Sequence, residues 1–357
     1  MSILLAEASK LATDILLKGI IETIVKDSPI LEKLPFIQIT GNSLKYNREK
    51  TLPSAAWYAP VTGTWAASPP TFEQCSASLC VLGVDADVDN FLRATRSNVQ
   101  DLEAACIELA AKSVRHEFEN GFLNGDSGVD ANQFDGLYKT VKGTAWQAST
   151  AYSLGDVVVP TAGLENGFRY ECTTAGTSGG SAPTWSTVEG GTTSDNTVTW
   201  TTRFGSHLGS GANGASLGLD KIDRVIDLVR GGKPDLLLMS RRSRRKIQNL
   251  ARAAGTNLLI GEGKLGEMVE YFNGIPVAIS DWVKDNYTVG SSTDCSAIFA
   301  FQMGEGAVAG LTSPEMLQIE RLGSLETKDA ARTRIKWYVS MADFSYVKAA
   351  MLTGVRD

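Results

Sequence analysis

Histidine is almost missing from this chain, with two in 357 residues. His116 and His207 alone leave little material for a nucleophile–histidine pair or a histidine-based metal site. Cysteine is scarce too. The five, at positions 75, 80, 106, 172 and 295, are odd in number and include no Cys-x-x-Cys pair. They read as free thiols in a reducing compartment rather than a disulfide framework. Cys75 and Cys80 stand close, but one pair without further ligands is a weak metal signal. No apolar run approaches the ~20 residues that span a bilayer, and no basic amphipathic face suits a membrane surface. The first residues carry an early acid, Glu7, and no cleavage site, unlike a secretory signal. A basic excess is also missing: 34 Lys and Arg stand against 40 Asp and Glu, a net charge of −6. A tight nucleic-acid binder would be basic. A protein that merely encloses DNA need not be.

What is present is enough apolar material for a sizeable core, 43% of residues, in a chain long enough for two domains or one with insertions. Residues 4–26 place Leu4, Ala8, Leu11 and Ile15 at helical spacing, and Asp27-Ser-Pro29 stops that helix. Residues 36–90 read as a long two-stranded excursion, from Phe36-Ile-Gln-Ile-Thr to Val84, Ala86 and Val88 in alternation. Its middle, Ala55-Ala-Trp-Tyr to Pro70-Thr-Phe72, is too rich in Trp, Pro and small residues to make its own core, and a two-stranded ribbon is marginal alone. Residues 97–123 read as the strongest helix, with a capping box at Ser97–Gln100 and a drifting stripe through Leu102, Cys106, Val114, Phe118 and Phe122. At 1.5 Å per residue it would be about 40 Å long.

Residues 143–205 change character. Thr, Ser and Gly dominate, charge is sparse, and short strands can be read, as in an inserted all-β module. Residues 206–216 read as a Gly/Ser/Ala linker. Gly209-Ser-Gly-Ala-Asn-Gly214 is a literal Gly-x-Gly-x-x-Gly. The glycine turn does not join strand to helix directly, and the next strand ends in Met239-Ser-Arg241 instead of an acid, so a flexible exit linker is the better reading than a dinucleotide site. Patterns resume with Leu217. Pro234 to Ser240, Gly274-Ile-Pro-Val277 and Ile298 to Phe301 read as strands. On the strand at 331–341, Thr333, Ile335, Trp337, Val339 and Met341 face one way and Arg332, Arg334 and Lys336 the other.

Few features could carry chemistry. Ser240-Arg-Arg-Ser-Arg-Arg-Lys246 is the one basic run, and on a helix Arg241, Arg244, Arg245 and Gln248 share a face. It reads as a solvated or intersubunit basic face before a phosphate site. Neither histidine has a nucleophile or ligand partner at useful spacing. Acids such as Asp85, Asp87 and Asp89 alternate on a surface element. No catalytic constellation emerges, and no cofactor or metal is expected.

The order of these elements resembles the major capsid protein of tailed bacteriophages, the Hong Kong 97-like fold. The resemblance implies an α+β chain with six parts: an N-terminal arm (1–35), an extended β loop (36–90), a peripheral domain with its spine helix (91–142), the inserted β module (143–205), an axial domain (206–325) and a return to the peripheral domain (326–357). It implies a shell of hexamers and pentamers around double-stranded DNA with no sequence readout, built in the host cytoplasm as part of a virion. Partners would be further copies, portal and decoration proteins and, since the arm begins near Met1, a separate scaffolding protein. Some relatives join a loop lysine to an asparagine on a neighbouring subunit. Lys45 and Lys50 lie on the ribbon here without a matching downstream asparagine, so no covalent crosslink is expected. An encapsulin-like protein compartment shares the fold and is the alternative. The insertion resembles small carbohydrate-binding modules of the chitin-binding type. Trp146, Tyr152, Tyr170, Trp185 and Trp200 are then either glycan-contact residues or the core of a domain too small to have another, and the core reading is favoured.

Overall fold

The computed structural model describes residues 29–58, 63–96, 102–255, 259–262 and 268–356. The helix expected over 4–26 and the capping box Ser97–Gln100 lie outside the described residues. Helices and strands alternate in an α+β arrangement built on two principal sheets.

The smaller sheet has four strands in the order Phe36–Gln38, Val308–Ser324, Ala330–Asp343 and Cys80–Asp89. Alternation on Ala330–Asp343 decides its packing. Thr333, Ile335, Trp337, Val339 and Met341 are buried against the long helix Leu102–Asn124, whose Val114, Phe118 and Phe122 share their core. Phe118 meets Trp337 at 4.8 Å and Phe36 at 5.7 Å between ring centroids. The opposite face carries a charge ladder. Arg332 and Arg334 stand in direct register with Asp87 and Asp85 and bind them at 2.6 and 2.7 Å. Directly opposed unlike charges favour that register.

The larger sheet runs from Leu259–Glu262 through Met268–Phe272, Ile275–Ile279, Leu236–Met239, Ser292–Phe301, Ala349–Arg356 and Val198–Gly209 to Asn166–Thr174 and Val157–Val158. Its central strands are continuous apolar runs because both faces are covered. Leu236, Leu238, Phe299, Phe301 and Met351 join the core beneath the long helix. Their neighbours Leu237, Met239, Ile298, Ala300 and Leu352 face a second core. Helices Leu219–Leu228 and Arg241–Ala253 supply Ile222, Val225 and Ile247 to that second core.

Three boundaries differ from the sequence expectation. The ribbon proper is Ser43–Thr51 paired with Thr71–Ser78; Phe36–Gln38 and Cys80–Asp89 belong to the four-stranded sheet. The C-terminal return divides. Ala330–Asp343 lies in the small sheet, and Ala349–Arg356 lies deep in the large one, as a strand buried from Ala349 to Val355 must. Val308–Ser324, assigned above to the axial part, also joins the small sheet.

The expected flexible linker over 206–216 is overturned. His207, Leu208 and Gly209 pair in parallel with Met351, Leu352 and Thr353, and Ala215–Ser216 pairs with the same strand. The glycines mark close packing instead of slack. Gly214 has φ +69°, and a Cβ there would stand 2.7 Å from the Gly354 carbonyl oxygen and 2.8 Å from Cys295 Sγ. Composition cannot distinguish the two uses of glycine, freedom and close approach.

Candidate assembly surfaces

The five module aromatics come together in one cluster. Tyr170 and Trp200 are fully buried, Trp146 nearly so, and Tyr152 and Trp185 pack against them. Trp185 lies 4.2 Å from Tyr170 and 6.1 Å from Trp200, and Tyr152 meets Trp200 edge-on at 4.9 Å. Buried indoles need an acceptor, and one carboxylate serves two. Asp195 Oδ2 accepts from Trp146 Nε1 at 2.8 Å and from Trp200 Nε1 at 3.1 Å. Asp195 Oδ1 accepts from the Gly179 amide at 2.7 Å. Tyr170 donates to the Ser186 carbonyl at 2.8 Å. The three buried rings present no face for a sugar to stack on. The large exposed apolar side chains of the module are aliphatic: Leu154, Val157, Leu164 and Val188. Asp195 was not among the candidate residues of the sequence, because its role as the shared acceptor depends on the fold.

The basic run forms the start of helix Arg241–Ala253, capped by Ser240, whose Oγ accepts from the Ser243 amide. Its charge is largely answered within the chain. Arg241 binds Asp281 through two hydrogen bonds, at 2.7 and 3.1 Å. Arg244 grips Glu270, which also accepts from Gln248 at 2.7 Å. The Arg244 bond is the first cause holding the Glu270 carboxyl below its ordinary range. Arg242 reaches the Asp294 carbonyl at 2.8 Å, and Arg245 is exposed on the same helix. An anion would have to displace Asp281 and Glu270 to use Arg241 and Arg244 together.

The two histidines lie apart. His116 meets Trp282 edge-on at 5.7 Å. His207 is buried between the Lys142 carbonyl at 3.0 Å and Thr353 Oγ1 at 2.8 Å, so it ties the segment leading into the module to the strand leading out. Burial pushes its pKa down to about 4. Among the described residues no group of three or more His, Cys, Asp or Glu is placed to hold a metal ion, and no helix is long and apolar enough to cross a membrane.

The large unburied apolar surface lies elsewhere. At the ribbon tip Trp57 is fully exposed, Trp65 is 81% exposed, and Leu52 and Phe72 are exposed beside them. Tyr58 stacks on Trp65 at 4.2 Å and leaves it largely exposed. A second such surface is the outer half of the hairpin made by Val308–Ser324 and Ala330–Asp343, where Met316, Leu317, Ile319 and Leu322 are exposed. It borders an apolar groove of about 370 Å³ above Trp337 and Val114. Contiguous exposed apolar patches are association sites.

The phage capsid family model matches residues 11–304. No curated protein sequence matches the chain. Among solved structures it is similar to the SrpI encapsulin from Synechococcus elongatus, with 14% identity, a TM-score of 0.61, and coverage of 99% of this chain and 96% of that one. It is similar also to the capsid of a native GTA particle, at 13% identity and TM-score 0.58, covering 99% and 98%. The capsid of Myoviridae phage XM1 gives 13% identity and TM-score 0.57, with 99% of each chain covered. At these identities the likeness is one of fold.

Proposed function

The chain belongs to the phage capsid family, and on that premise we propose that it is the major capsid protein of a tailed phage. It is a capsid shell protein. In this reading its copies assemble as hexamers and pentamers into an icosahedral head, in the host cytoplasm, with a separate scaffolding protein, a portal and decoration proteins as partners. The head encloses double-stranded DNA without reading its sequence, because a net charge of −6 supplies no strong counterion-release term. The inserted module lies on the outer face, since the inner volume is needed for DNA. One observation carries the reading: the ribbon ends in exposed Trp57, Trp65, Leu52 and Phe72, which no described residue covers, and this suits burial on a neighbouring copy.

The second reading is an encapsulin-like compartment, favoured by the fold likeness to the SrpI encapsulin. Particles purified from the source distinguish the two. Electron microscopy should show closed shells, and nuclease treatment should leave protected double-stranded DNA inside. Shells holding protein and no DNA would establish the compartment reading, and failure to form shells would remove both.

A further inference from the structure

Tyr46, Arg48 and Lys50 alternate along one face of the ribbon strand Ser43–Thr51, in that order away from the body. The first two are held by the segment that ends the long strand of the small sheet. Tyr46 donates to the Asp343 carbonyl at 2.9 Å, and Arg48 Nε donates to the Phe344 carbonyl at 3.0 Å. The third is held by the inserted module, where Lys50 Nζ lies 3.0 Å from Glu171 Oε1.

Between these holds stands Tyr346. Arg48 lies over its ring at 4.0 Å and the module's Arg169 at 3.7 Å. Its hydroxyl donates to Glu73 on the other ribbon strand at 3.0 Å. A ring contacted by two guanidiniums joins ribbon, body and module at one point. Glu171 is only 13% exposed. Burial opposes its charge, yet Lys50 and Arg203 (3.2 Å away) hold its carboxyl below the ordinary range. The ion pair is therefore formed at neutral pH, sheltered on the Glu171 side and open to solvent on the Lys50 side, which is 41% exposed.

We propose that the inserted module is an intrachain strut that fixes the angle of the ribbon to the body, gripping it directly through Glu171 on Lys50 and indirectly through Arg169 on Tyr346, which in turn holds Glu73 and Arg48. A ribbon of two strands has no core of its own. Without the strut it keeps only its root contacts and is free to swing about them. To move in an intact subunit it must part Lys50 from Glu171 and break the contacts of the Tyr346 ring with the arginines.

The test uses unassembled full-length subunits, so it reads the strut independently of whether shells form. Hydrogen exchange is followed at the amides of Ser43–Thr51 and Thr71–Ser78. Lys50→Met and Arg169→Met should each speed exchange there by about three- to tenfold, the scale of losing one half-exposed ion pair or one cation–π contact. Lys50→Arg, which keeps the charge, should restore protection. The module strands Asn166–Thr174 and Val198–Gly209 serve as the internal control. The Lys50 variants alter no module residue, so module protection should be unchanged in them. Wild-type ribbon exchange in Lys50→Met would overturn the proposal. So would Lys50→Arg behaving like Lys50→Met, since the effect would then not be the ion pair.

Discussion

Asp343 sits in an environment that opposes its charge. It is buried where the ribbon root meets the body, and burial pushes its pKa up to about 6, with Arg48 pulling the other way. Arg48 does not neutralise it directly, because its guanidinium is committed to the backbone carbonyls of Asp343 and Phe344. The sign follows from the reference value of 3.8. The folded state prefers the neutral acid, so stability falls as pH rises from about 4 through 6 and the cost is complete above that. Asp343→Asn keeps an oxygen for the Ser345 amide and removes the titration. Between pH 4 and pH 7 wild-type subunits should lose about 2–3 kcal/mol relative to this variant, from roughly two pKa units at 1.36 kcal/mol each. Urea denaturation midpoints at the two pH values measure it. Parallel pH dependence of both proteins would show that Asp343 is not the group responsible.

At the scale of elements, the assembly role proposed for the ribbon can be tested apart from the fold. Thr51 and Thr71 are paired, with their hydroxyl oxygens 2.6 Å apart, so the tip between them can be replaced by a two-residue Asn-Gly turn that suits hairpin twist. Deleting residues 52–70 in this way removes Trp57 and Trp65 and touches none of the buried core. The expected product is a soluble, folded subunit that no longer forms shells, read by circular dichroism and negative-stain microscopy. Normal particles from it would show that the exposed aromatics are not an assembly contact. Such elements were legible in the sequence where one local period dominates. The long strand with Ile335, Trp337 and Val339 inward and the helix carrying Phe118 and Phe122 are of this kind. Elements defined by partners far along the chain were not. His207 and Leu208 sit in a Ser/Gly-rich stretch whose strand character exists only because Met351 and Leu352 lie beside it. The contacts of Tyr346 with Arg48 and Arg169 likewise join positions about 300 and 180 residues apart, beyond any local pattern.

At the scale of the whole molecule, the module read as an insertion is part of the main sheet. Strand Val198–Gly209 pairs with Asn166–Thr174 along its first part and with Ala349–Arg356 at its end. The chain enters and leaves at nearly one place, since the Lys142 carbonyl and the His207 ring are 3.0 Å apart. A short Gly-Ser linker in place of residues 144–204 therefore spans the gap without pulling His207–Gly209 from the sheet. The cores beneath the long helix and around Ile222 and Ile247 contain no residue from 144–204, so the subunit should fold. If the module decorates the outer face, such particles should assemble and lose a matching lobe of external density in reconstructed images. If it is also the strut, ribbon amides of the unassembled variant should exchange at the rate set by Lys50→Met or faster. The two readouts are independent. Failure of assembly would make the module an obligatory shell contact, while intact shells with an unchanged ribbon would leave it an appendage that holds nothing.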